Sequence, residues 1–230
     1  MRCEGGSVAG YRTVAPTYDA LATLYSGGAI PGVKGSQRRF LPHRGRVLYA
    51  GVGTGKDALG AARTGLDVVA VDRSCSMLER LRGRVARSPD LDRPFLEIRH
   101  EEILDHRPTQ NYDAIVANFF LNTFAAPQLE SVLSHLDQIL APNGVLIVGD
   151  FAAPAAARAA RPIQTAYHHL PMFVFSWLTG SERHAIHDYP SRLTERGFAL
   201  LERETHRVAR WGPAWFETLL FGRDGEGADE

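Results

Sequence analysis

Cysteine is scarce: Cys3 and Cys75 are the two in 230 residues. That count argues against a disulfide framework and against a cysteine-based zinc site. Neither sign of charge is in excess, with Lys+Arg and Asp+Glu at 26 each. No overall field therefore draws the chain to nucleic acid or to an anionic membrane. The arginines at 80, 82, 84 and 87 form a local basic run, which reads as the outer face of one helix. No apolar stretch approaches the ~18 residues of a membrane span, and Met1 to Gly10 lacks the apolar core of a signal peptide. No internal repeat is visible. The expected compartment is the cytoplasm. The length suits one α/β domain with a single sizeable core.

Against these absences stands Val47-Leu48-Tyr49-Ala50-Gly51-Val52-Gly53-Thr54-Gly55, followed one short helix later by Val68-Val69-Ala70-Val71-Asp72. An apolar run meets three alternate glycines, a helix follows, and a second apolar run ends in an acid. Glycine lets the backbone turn sharply and approach a ligand closely, and an acid at the tip of the next strand can accept both ribose hydroxyls. A dinucleotide fingerprint would need glycine at 56, where Lys56 stands. A phosphate-binding loop ending Gly55-Lys56 would need glycine at 50 and Ser or Thr at 57, where Ala50 and Asp57 stand. The spacing instead points to S-adenosylmethionine. The competing reading is a tight strand-to-helix turn that binds nothing.

Along the chain, Val14, Tyr18, Leu21, Leu24 and Tyr25 share one face of a helix expected over 11–27. A short second helix leads to Leu41. Strands are expected near 46–51, 67–72, 94–99, 112–118 and 144–150, and helices near 55–64, 75–87 and 127–140. Such alternation implies parallel strands joined by right-handed crossovers. Ala152–Ala160 reads as helical, Leu170 to Leu178 as an apolar-aromatic stretch, and 198–208 with 214–221 as a terminal β-hairpin. The expected fold is α/β: a Rossmann-like, doubly wound, mostly parallel seven-stranded sheet with a C-terminal antiparallel hairpin and a small helical cap. A single domain is divided into cap helices (11–40), cofactor core (45–151), cap insertion (152–189), hairpin (190–223) and a flexible tail (224–230).

The motifs resemble, in order, those of class I S-adenosylmethionine-dependent methyltransferases between about Gly45 and Phe151. They are Gly51-x-Gly53-x-Gly55, Asp72, the pair Glu101-Glu102, the strand Tyr112 to Val116, and Leu140-Ala141-Pro142-Asn143-Gly144. Val14 to Asp19, Tyr25 to Gly28 and Asn118 to Asn122 are similar to segments of the ubiquinone/menaquinone C-methyltransferases. The resemblance implies that Gly51, Gly53 and Gly55 pass under the amino-acid end of the cofactor, and that the helix start that follows supplies donors for its carboxylate. It implies Asp72 on the ribose, Glu101 or Glu102 on the adenine amino group, Asn118 and Phe119 over the cofactor, and Tyr18 closing from the N-terminal helix. The bland alternatives are a solvated loop acid for each glutamate and core packing for Phe119 or Phe120. The chain departs from the family at Ala50, where an acid usually organises the methionine end of the cofactor.

His168, His169 and His187 are the candidates for a general base, with ordinary surface histidines as the alternative. His184 and His187 stand three apart, but no third ligand has metal spacing, so no metal is expected. Phe173, Phe175 and Trp177 suggest an apolar or aromatic small-molecule acceptor, quinone-like or a specialised metabolite. The partners expected are that acceptor, no nucleic acid and no integral membrane association, with a homodimer through the aromatic cap left open. Three other functions stay open: non-methylating chemistry on the same cofactor, a non-catalytic cofactor-binding partner protein, and a nicotinamide oxidoreductase, which Lys56 disfavours.

Overall fold

The computed structural model describes residues 28–88, 95–152, 187–208 and 214–224. Expectations for the 11–27 helix, the alanine-rich segment after Ala152 and the 170–178 stretch lie outside these residues. Strands β1 (Arg46–Ala50), β2 (Asp67–Asp72), β3 (Leu96–His100), β4 (Tyr112–Asn118) and β5 (Leu140–Phe151) pair in parallel. β6 (Phe198–Arg207) and β7 (Ala214–Arg223) form an antiparallel hairpin, and β7 joins antiparallel to β5. The order is β3-β2-β1-β4-β5-β7-β6, the seven-stranded, mostly parallel sheet expected from the sequence.

The central strands are apolar on both faces because both faces are covered. Leu48, Val69, Ile115 and Leu146 face Leu129, Leu133 and Leu136 of α4 (Ala126–Ile139) and Tyr189 and Leu193 of α5 (Tyr189–Thr194). Val47, Tyr49, Val68 and Val116 face Ala58 and Leu59 of α2 (Lys56–Ala62) and Leu78 and Leu81 of α3 (Cys75–Ala86). Each leucine buried this way contributes about 1.5–3 kcal/mol. α1 (Ala29–Ser36) sets Ala29 and Val33 against Phe151, Trp215 and Phe216 at the hairpin end of the sheet. Cys75, at the start of α3, is disulfide-bonded.

Two boundaries differ from expectation. β5 starts at Leu140 rather than 144: Leu140 pairs with Tyr112, the strand bulges, and Val145 then pairs with Ala114. The Pro-Asn-Gly turn is thus absorbed into the strand as an irregularity instead of preceding it. Helix α5 falls where only a cap boundary was read. Its signal was present: Asp188 accepts from Ser191 N at 3.2 Å as the N-cap, and Pro190 sits in the first turn.

Gly55 has φ +67°, and a Cβ there would lie 2.5 Å from Cδ1 of the fully buried Leu81. Gly55→Ala is therefore expected to lose about 2–4 kcal/mol, from the left-handed backbone and from overpacking. Urea unfolding against Gly53→Ala, which keeps the backbone cost but meets no neighbour within 4 Å, checks the second contribution.

Candidate cofactor-binding site

β1 lies between β2 and β4, so the connections leaving the carboxyl ends of β1 and β4 run to opposite sides of the sheet. Open α/β sheets place ligands in the crevice at the strand ends of such a switch point. Three elements meet there: the Gly51–Gly55 loop after β1, Asp72 at the tip of β2, and Asn118 at the end of β4.

All three loop glycines are left-handed, with φ of 63°, 57° and 67°. A Cβ on Gly51 would strike the Phe120 ring and one on Gly55 would strike Leu81, whereas one on Gly53 meets nothing within 4 Å among the described residues. The outer two glycines let the loop pack onto the core; the middle one faces open space. Asp72 holds this shape. Its Oδ2 accepts from Gly53 N at 2.7 Å and its Oδ1 from Ser74 N at 2.8 Å. Burial pushes its carboxyl above the usual range, and the two amide donors pull it back. Each carboxylate oxygen can accept more than one hydrogen bond, so the half-buried group retains acceptor capacity for a diol.

Asn118 is locked by neighbours distant in sequence. Its Oδ1 accepts from Gln37 Nε2 at 2.5 Å, and its Nδ2 donates to Asp57 Oδ2 at 2.8 Å. Lys34 Nζ lies 3.3 Å from the same Asp57 oxygen. Gly149, the register partner of Asn118, leaves room for this array, since a Cβ there would lie 2.5 Å from both amide atoms. Among the described residues, buried Asp57 Oδ1 has no donor. An acceptor left so costs about 1–3 kcal/mol.

Phe119 takes φ 51°, donates its N–H to Gly149 O at 2.7 Å, and turns its ring edge-on to Phe151 and Phe216 at 5.8 and 5.7 Å. It is part of the hairpin-side core. Phe120 lies over Gly51 and edge-on to Phe124 at 5.0 Å. Of the acidic pair, Glu101 accepts from His106 Nδ1 at 2.7 Å, and the other ring nitrogen pairs with the Tyr112 hydroxyl at 2.7 Å. Burial pushes the Tyr112 hydroxyl up to about 12. Glu102 is exposed, 3.7 Å from Arg73. His187 is 6% exposed and its Nε2 lies 2.9 Å from Phe124 O, an acceptor only, so Nε2 carries a proton and donates. Tyr18, His168 and His169 lie outside the described residues.

The open face at Gly53, the acceptor capacity of Asp72 and the unsatisfied Asp57 oxygen are what an adenosyl amino acid requires of this crevice: room beside the loop, a diol acceptor and a partner for an ammonium. Residues 48–146 match the family model of a methyltransferase domain. The chain is 30% identical over 115 residues to the demethylmenaquinone methyltransferase of Tropheryma whipplei (strain Twist), covering 47% of this chain and 42% of that protein. The chain thus matches under half the length of that curated relative. Among solved structures it is similar to the DhpI–S-adenosylhomocysteine complex, with TM-score 0.61, 22% identity, and 94% and 95% of the two chains covered. It is also similar to the Burkholderia thailandensis 1,6-didemethyltoxoflavin-N1-methyltransferase, solved with 1,6-didemethyltoxoflavin and S-adenosylhomocysteine, at TM-score 0.63, 13% identity, and 97% and 93% coverage. These likenesses agree with the fold. Among the described residues, no helix is long and apolar enough to cross a membrane.

Behind the crevice the protein buries an acid that sequence reasoning passed over. Asp150, 1% exposed, accepts from Asn122 Nδ2 at 2.6 Å, Phe151 N at 2.8 Å and the Tyr189 hydroxyl at 2.7 Å. It ties the segment after β4 to the start of α5. Its only sequence signal was an acid closing an apolar strand, as Asp72 does. Burial, reinforced by Glu217 opposite, raises its carboxyl to about 6 against the hydrogen bonds that favour the anion. The folded state then holds this proton more tightly than the unfolded chain between pH 4 and 6, so its stabilising contribution is full below pH 4 and is lost as pH rises through 6. At about 1.36 kcal/mol per unit, a rise from 3.8 to about 6 is worth of order 3 kcal/mol. Unfolding of the wild type and Asp150→Asn in urea at pH 4.5 and 7 is expected to show the wild-type advantage smaller at pH 7.

Proposed function

We propose that this protein transfers the methyl group of S-adenosylmethionine to a small apolar or aromatic acceptor in the cytoplasm. The observation that carries this reading is the joint placement of Asp72 and the glycine loop, in which one carboxylate pins the Gly53 amide and keeps acceptor capacity beside open space. When bound, S-adenosylmethionine supplies a methyl carbon that is already activated. What remains for the protein is to bind, align and exclude water. Asp72 holds the ribose, the Glu101-Glu102 segment meets the adenine amino group, and Asn118 borders the amino-acid end. Phe120 and Phe124, half-buried beside Gly51, offer the acceptor an apolar surface. The curated relative named for demethylmenaquinone supports a quinone-like acceptor. Displacement at an activated methyl group makes a dedicated base optional. His187 acts in this reading chiefly as a strut, because its Nε2 already donates to Phe124, and His168 and His169 remain the proposed bases.

Calorimetric titration with S-adenosylhomocysteine tests the cofactor, and Asp72→Ala is expected to weaken binding at least tenfold, about 1.4 kcal/mol. Incubation with S-adenosylmethionine and a panel of aromatic acceptors should give products heavier by one CH2. Binding without turnover on any acceptor would favour a non-catalytic partner protein, and a product lacking the CH2 increment would favour other chemistry on the same cofactor. Methylation confined to charged, non-aromatic acceptors would overturn the acceptor class.

A further inference from the structure

We propose that Asp57 receives the α-ammonium group at the amino-acid end of the cofactor, a task that no acid at position 50 can perform in this chain. The inference rests on the reading of the crevice as an S-adenosylmethionine site. Position 50 is an alanine with 1% exposure, packed into the core below the sheet end. Asp72 spends one bond on Gly53 and another on Ser74. Asp57 is different. Its side chain is 8% exposed, and both neighbours that reach it, Asn118 and Lys34, converge on Oδ2.

The direction of the amides fixes this asymmetry. Gln37 donates to the Asn118 oxygen, so the Asn118 nitrogen must face Asp57, and that donor lands on Oδ2. Gly149 leaves the space that keeps both amides in place. Oδ1 is left as a buried carboxylate oxygen without a donor among the described residues. The negative charge also reaches Tyr49 beneath it, whose hydroxyl is pushed well above its ordinary value by burial first and by Asp57 second. An alkylammonium brings three N–H donors and a positive charge to such a group. Lys34, which is already paired to the same carboxylate, adds a cation beside it. An amino-acid zwitterion, with one charge of each sign, is the ligand class that matches an acid and a lysine side by side.

The test uses two ligands that differ by one amino group: S-adenosylhomocysteine and 5′-deoxy-5′-(3-carboxypropylthio)adenosine. Titration calorimetry of the wild type should show the amino ligand at least tenfold tighter. In Asp57→Asn that preference should fall below threefold, through weaker binding of S-adenosylhomocysteine and unchanged binding of its deamino analogue. Wild-type affinities within threefold of each other overturn the proposal, whatever the variant does. So does a variant that weakens both ligands equally, which is the signature of a structural role. If Asp57→Asn fails to fold by circular dichroism, Asp57→Ser carries the same comparison. Wild-type protein that binds neither ligand removes the cofactor reading itself, a result distinct from binding both alike.

Discussion

Two backbone amides converge on one carboxylate, and the geometry of the crevice depends on that arrangement. The three glycines of the Gly51–Gly55 loop all sit in the left-handed region. A segment of this kind has many alternative shapes, because glycine is the residue with the most conformational freedom to lose. Asp72 removes that freedom from outside the loop by holding Gly53 and, through Ser74, the entry to α3. Hydrogen bonds to a charged group contribute about 1.5–3 kcal/mol each, more than neutral ones. One side chain therefore sets the distance between the ends of β1 and β2 and also presents the acceptor that a ribose needs.

The far side of the crevice is built by a different means. There the strand ends are joined by side-chain amides instead of a charge: Gln37 from the turn after α1, and Asn118 from β4. α1 reaches them because its apolar face packs on Phe151, Trp215 and Phe216. The hairpin thus takes part in the site without touching it, by supplying the surface on which α1 rests.

The strands were legible because burial on both faces writes unbroken apolar runs into the chain, as in Val47 to Ala50 and Val68 to Val71. The glycine loop and Asp72 were legible because a run of left-handed turns and the acid that holds it require particular residue types at close spacing. The acidic pair was not, since Glu101 and Glu102 look alike in sequence, and only the fold puts His106 beside one and Arg73 beside the other. The Lys34–Asp57–Asn118–Gln37 cluster was hidden for a similar reason. Its members come from α1, the turn after it, α2 and β4, and no local pattern marks residues that meet only after the sheet has formed. The start of β5 was misplaced because a proline-asparagine-glycine turn and an irregular strand begin with the same letters.

The outermost strand carries a consequence for how the molecule assembles. Glu217 of β7 is buried, faces Asp150 across the β5–β7 pairing, and is matched by Arg203 of β6 at 2.7 and 2.8 Å. β7 arriving before β6 would bring Glu217 against Asp150 without the Arg203 guanidinium beside it, at a higher desolvation cost. With β6 already alongside, the incoming surface is neutral at that point. The last two strands are therefore expected to join the sheet as a preformed hairpin, so that assembly order follows from where one arginine is placed.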